Sequence, residues 1–220
     1  METPSNIHIE LPVTPTKQLV KDGCVTASAR GVIPHFGIDF ETVFLPRLQK
    51  YSMNDNPEDN HMLGIATIGA GFNFNVAIHT ADSLTTDMKV SNLPSKAEGV
   101  HPRVVQEVIE LAAQNKISLL SGRYDLNSFR TALTDAISKG QYAFVFLNWA
   151  KWNPKMQEKF KNPNHIPVVC GIKNSSVSVM DPAVEEGTPN LIDVSFEYLF
   201  NALNKEQQIV FIGKPLSPDL

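Results

Sequence analysis

Cys24 stands in the stretch KQLVKDGCVTASARGVIP, residues 17–34, and the small residues Ala27, Ser28, Ala29 and Gly31 follow it. A helix starting at about Cys24 and stopped by Pro34 would be short and could pack its backbone close to a neighbouring sheet. A cysteine at such a start sits at the positive end of the helix dipole, which lowers a thiol pKa and favours the thiolate. The alternative reading of Cys24 is a buried small hydrophobe. A nucleophile needs a base, a group that orients the base, and donors for an oxyanion. The Cys24 backbone N–H would be one such donor. Six histidines compete as the base: His8, His35, His61, His79, His101 and His165. Position separates them. His165 follows Asn162-Pro163-Asn164 and opens an apolar run, so a strand behind it would hold the imidazole rigid at a sheet end. Asp181 closes the next apolar run, before Pro182. In a hairpin the start of one strand and the end of the next share an edge, which lets Asp181 approach His165 in a register the pattern leaves open.

The elements that must position these groups are legible in part. Pro12 and Pro15 give an extended lead-in to Cys24. Leu63 to Ile78 reads as strand, with apolar residues alternating at Phe72, Phe74, Val76 and Ile78. Its glycines lack the lysine and spacing of a phosphate loop. From Pro102, apolar residues at Val104, Val105, Val108, Ile109, Leu111 and Ala112 predict a helix. Asp125 is an N-cap for a second helix, ended by Gly140. Tyr142 to Trp149 suits a central strand, and 166–172 with 177–180 form a hairpin around Lys173-Asn174-Ser175-Ser176. A helix over 196–203 and a strand over 208–213 complete the chain. Helices first and a mostly antiparallel sheet afterwards make an α+β layout, with the cysteine helix packed on the sheet.

Composition removes several function classes. Nineteen basic against 23 acidic residues give a net charge of -4, without the clustered basic surface that nucleic acid requires. No stretch is long enough to span a membrane and the N-terminus lacks a secretory pattern, so the expectation is a cytoplasmic protein with no membrane partner. Two cysteines, Cys24 and Cys170, are too few for a disulfide framework, and Cys170 lies mid-strand as a small hydrophobe. The pairs His79 with Asp82 and His61 with Asp59 do not repeat a ligand spacing, and Cys-x-x-Cys is absent, so neither metal nor cofactor is expected. Asn54 to Asn60 is acidic turn chemistry.

Gln18 lies six positions before Cys24, and His165 sixteen before Asp181, within HIPVVCGI and VMDP. This pattern resembles the C39-like cysteine peptidases of the papain-like superfamily, in which a Gln precedes the nucleophilic Cys and a His-x-Val-Val-x-Gly strand leads to Asp-Pro. The resemblance implies a single papain-like domain over 1–220, with an insertion at about 50–100 near the cleft. It implies Cys24 as nucleophile, Gln18 as side-chain oxyanion donor, His165 as general base and acid, and Asp181 as the group orienting His165. The activity implied is that of a cysteine-dependent peptidase or amidase acting on a peptide or small amide or acyl substrate. Two other readings stand beside it: a free-standing acyltransferase passing the acyl group to an amine or thiol, and an inactive binding module of the same fold. Bacteriocin-exporting members carry a transporter after the domain, and none precedes Leu220, which points away from a leader-cleaving exporter. The family has Asp-Cys-Gly where this chain has Gly23-Cys24-Val25. A β-branched Val25 is expected to narrow the approach of a substrate backbone.

Overall fold

The computed structural model of the protein describes residues 7–18, 23–52, 62–81, 102–155, 164–184 and 190–215. These residues form a mixed α+β fold built on a large, mostly antiparallel sheet. Its strands in chain order are β1 (His8–Glu10), β2 (Asn75–Thr80), β3 (Ser118–Ser121), β4 (Tyr142–Val145), β7 (Val168–Lys173), β8 (Ser176–Met180), β9 (Leu191–Ser195) and β10 (Ile209–Gly213). The spatial order is β3-β2-β10-β4-β7-β8-β9, with β1 also on β7. Among the described strands, only β2 and β3 pair in parallel. A separate two-stranded ladder joins β5 (Leu147–Asn148) to β6 (Asn164–His165). The helices are α1 (Cys24–Val32), α2 (Leu45–Leu48), α3 (Met62–Gly71), α4 (Pro102–Ala113), α5 (Leu126–Ser138), α6 (Trp149–Trp152) and α7 (Phe196–Ala202).

Both faces of the sheet are covered. Val76, Ile78, Tyr142, Phe144, Val168, Val210 and Ile212 pack with residues of α1, α3 and α4. The alternate residues Ala143, Val145, Val169, Val177, Val179 and Phe211 pack with α5, α6 and α7. Strands buried on both faces read as continuous apolar runs, which is why Tyr142 to Val145 shows no alternation. The helices are therefore interleaved with the strands in sequence, unlike the expected order of helices first.

Three local expectations change. The run from Leu63 does not begin as strand: Met62–Gly71 is a helix, and the chain extends only from Asn75 after a turn in which Asn73 takes φ 59°. Met62 through Ala70 are buried all round, so no polar face marks the helical period. Gly64 lies where a Cβ would meet Leu48 and Tyr51, so the small residues serve close packing. Second, the expected strand 142–149 breaks at Phe146. Leu147 and Asn148 join the separate ladder, and the Asn148 side chain accepts from Ala150 N to cap a single helical turn over Trp149–Trp152. Third, the strand after His165 begins at Val168, because Pro167 has no N–H to donate.

The other predicted elements match the structure closely. Asp125 caps α5 in a reciprocal pair with Ser128, Gly140 follows its end at φ 73°, and Asn174 turns the β7–β8 hairpin at φ 53°. The acidic turn at Asn54 to Asn60 lies outside the described residues, as do His61, Asp59, Asp82, His101 and much of the expected insertion. The part of that region which is described contributes α3 and the inner strand β2. Among the described residues, no helix is long and apolar enough to cross a membrane.

Candidate active site

Cys24 is the first residue of α1, and it is 7% exposed. Gly23 provides no side-chain cap, so the first-turn N–H groups retain their capacity to donate. The small residues that follow set the helix deep. Gly31 lies so near the extended lead-in that Thr14 N donates to its carbonyl at 2.9 Å. On the lead-in side, Thr16 Oγ1 donates to Ala27 O at 2.6 Å. One turn beyond Cys24, Ser28 Oγ donates to Ile166 O at 2.6 Å. Residues four apart share a helix face, so this bond sets the Cys24 face of α1 against the chain immediately after His165.

His165 lies opposite Leu147 in the β5–β6 ladder and is fully buried. Its Nε2 donates to Asp181 Oδ1 at 2.7 Å. Trp149 stacks on the imidazole, with centroids 3.8 Å apart and planes at 21°. Asp181 follows β8, whose Met180 pairs with Val168, so the hairpin register brings the two groups to one edge. The carboxylate takes two further donors: Ala183 N at 2.9 Å on Oδ1, and Trp152 Nε1 at 2.7 Å on Oδ2. Gln18 reaches the same neighbourhood through the backbone, its N donating to Pro182 O at 2.7 Å. Asn190 reinforces this junction, its Nδ2 donating to Thr16 O and its carbonyl accepting from Asp181 N.

Burial alone would push the His165 imidazolium to deprotonate, but the Asp181 charge and hydrogen bond, with a smaller contribution from Cys24, outweigh it and raise the pKa to about 9. The opposite balance holds for Asp181. Burial raises its pKa, yet the His165 charge and the donors from His165, Trp152 and Ala183 hold it below the ordinary carboxylate value. His165 Nδ1 is buried and has no hydrogen-bond partner among the described residues. Besides Asp181, the Cys24 thiol acts on the charge of the ring. Such an arrangement can accept a proton at Nδ1 while Nε2–H stays fixed on a carboxylate.

The other candidates are placed elsewhere. His79 is buried, with Nδ1 against Gln207 O at 3.1 Å and its ring stacked on Tyr124 at 3.8 Å. His35 bonds Thr14 Oγ1, and His8 lies beside Glu10. Cys170 is buried, and its Sγ donates to Ser178 O. Val25 is 1% exposed, and its side chain is packed in the core. No group of three or more potential ligands among the described residues could hold a metal ion. The two tryptophans at the site were not predicted from the sequence. The available signal was Trp149-Ala150-Lys151-Trp152 after an apolar strand, a spacing that puts both rings on one side of a helical turn. A cavity of about 660 Å³ adjoins the pair on the side of Trp152, Asp181, Ile192, Val194 and Tyr198.

No family model matches the chain, and no curated protein matches it. Among solved structures, the chain is similar to that of a Bacillus anthracis protein described as a C39-like peptidase, at 12% identity and a TM-score of 0.41, with 95% of this chain and 98% of that one covered.

Proposed function

We propose that the protein is a cysteine-dependent hydrolase, a peptidase or amidase with a papain-like domain, that works through a thioester on Cys24. The observation that carries this reading is the buried 2.7 Å bond from His165 Nε2 to Asp181 Oδ1. It commits one ring nitrogen to a carboxylate and leaves Nδ1 to the thiol. His165 takes the Cys24 proton at Nδ1, and the sulfur attacks the carbonyl carbon of a peptide or small amide. The Cys24 N–H and the Gln18 side-chain amide donate to the oxygen as it gains charge, each worth about 3 kcal/mol in the transition state. The imidazolium then gives its proton to the leaving amine as the C–N bond breaks, which leaves the thioester. Water, deprotonated by His165, attacks the thioester carbonyl; the C–S bond breaks, the acid departs and the Cys24 sulfur is left as thiolate beside the imidazolium.

The test combines a thiol-reactive probe with trapping of the acyl intermediate on a panel of peptides and small amides. Cys24 is expected to label much faster than a model thiol near neutral pH, and to lose that rate in His165→Ala. Intact mass should show the acyl group added at Cys24. Labelling at the rate of a model thiol sinks the reading.

A further inference from the structure

We propose that Trp152 is a positioning residue of this site, its indole N–H fixing the second oxygen of Asp181 so that the first stays aimed at His165. The inference rests on the reading of Cys24, His165 and Asp181 given above, and extends it to a residue that touches no reacting atom.

The two carboxylate oxygens of Asp181 are held differently. Oδ1 takes two donors, His165 Nε2 and Ala183 N, whereas Oδ2 takes the Trp152 indole at 2.7 Å. A partial rotation of the carboxylate would swing Oδ1 out of line with Nε2–H. A donor fixed on Oδ2 resists that rotation without competing for the oxygen that His165 needs. Trp152 is itself immobilised. It is 4% exposed, it ends the one-turn helix capped by Asn148, and its carbonyl accepts the Tyr198 hydroxyl from α7. Ser195 caps α7 by accepting from Tyr198 N at 3.0 Å, so the chain of contacts runs from a helix start to the carboxylate. On the same turn Trp149 covers the face of the imidazole. One short helix therefore grips both members of the pair.

Without the indole N–H, Oδ2 becomes a buried acceptor that has lost its protein partner, a costly state. The carboxylate can escape it by rotating or by taking up a proton, and either response weakens the counter-charge at Nε2–H. His165 should then bind its proton about tenfold less tightly, a fall of roughly one pH unit in its titration. Packing alone predicts no such change, because the ring would still fill its place.

The experiment follows the His165 ring nitrogens by NMR across pH in the full chain labelled with 15N-histidine. Wild type is compared with Trp152→Phe and with a protein carrying benzothienylalanine at position 152, which keeps the bicyclic shape and replaces only N–H by sulfur. The His165 midpoint should fall in both variants. An unchanged midpoint in the folded benzothienyl protein overturns the proposal, and that protein alone decides if Trp152→Phe does not fold. Cys24 alkylation is measured in parallel. A wild-type rate equal to that of a model thiol would count against the hydrolase reading, while the His165 titration would still decide the role of Trp152.

Discussion

Gln18 occupies a position that neither hydrophobic pattern nor capping chemistry requires. Its backbone N–H is bonded to Pro182 O, one residue past Asp181, so the lead-in strand and the end of the hairpin hold it from opposite directions in sequence. If its amide donates to the oxyanion, the bond strengthens only as the carbonyl oxygen becomes charged. Gln18→Ala should therefore lower kcat by about 10²- to 10³-fold and leave KM nearly unchanged, because the backbone bond to Pro182 survives the substitution. Steady-state kinetics on whichever amide acylates Cys24 would check this. A rise in KM with kcat intact would make Gln18 a substrate contact instead. Cys24, His165 and Asp181 could be singled out from residue type and position, and Gln18 only through the family resemblance, but the tryptophans could not. A tryptophan after an apolar strand looks like core, and its hydrogen-bonding direction is fixed only once Asn148 turns the chain into α6.

Helix α1 was readable because its demands are local: small residues for close approach, and a proline where the α-helix gives way to a 3-10 turn over Ile33–Phe36. The closeness is measurable at Gly31, where an added Cβ would lie 2.6 Å from the Met180 Sδ and Cε and 2.8 Å from Thr14 O. The methionine can move, but the Thr14 carbonyl belongs to the segment that leads to Gln18. Gly31→Ala should destabilise the protein by about 1–3 kcal/mol through this overpacking, read as a lower urea midpoint. An unchanged midpoint would mean that the lead-in is not held against α1. Elements whose character depends on distant partners were less legible. Helix α3 is buried on every side and so carries no amphipathic stripe, and its glycines resemble those of a turn or bulged strand. Strands β3 and β9 end the sheet path, with little buried surface to mark them. The hairpin itself could be read from Asn174 and its flanking apolar runs, yet the shift between Val169 and Gly171 that sets its register follows from tertiary pairing with β1 and β4.

The helical layers on both faces of the sheet bury ionisable groups whose preferences make folding depend on pH in opposite directions. His79 is held below its ordinary pKa of 6.5 by burial, so it contributes stability that is present above that value and lost as pH falls. His165 behaves in reverse. Burial opposes its charge, but Asp181 raises its pKa from 6.5 to about 9, so its contribution is complete below pH 6.5 and disappears as pH rises through 9. Cys170, pushed by burial from 9.0 to about 12, adds a loss that begins only above pH 9. Among the described residues, the decline between pH 6.5 and 9 therefore belongs to the His165–Asp181 pair. Urea midpoints measured across this interval should fall steadily in wild type. In Asp181→Asn the imidazole loses its main counter-charge and only the smaller contribution of Cys24 opposes burial, so the variant, less stable at pH 6.5, should show a much shallower decline toward pH 9. An equal slope in both proteins would place the alkaline loss in some other group and break the link between the buried pair and stability.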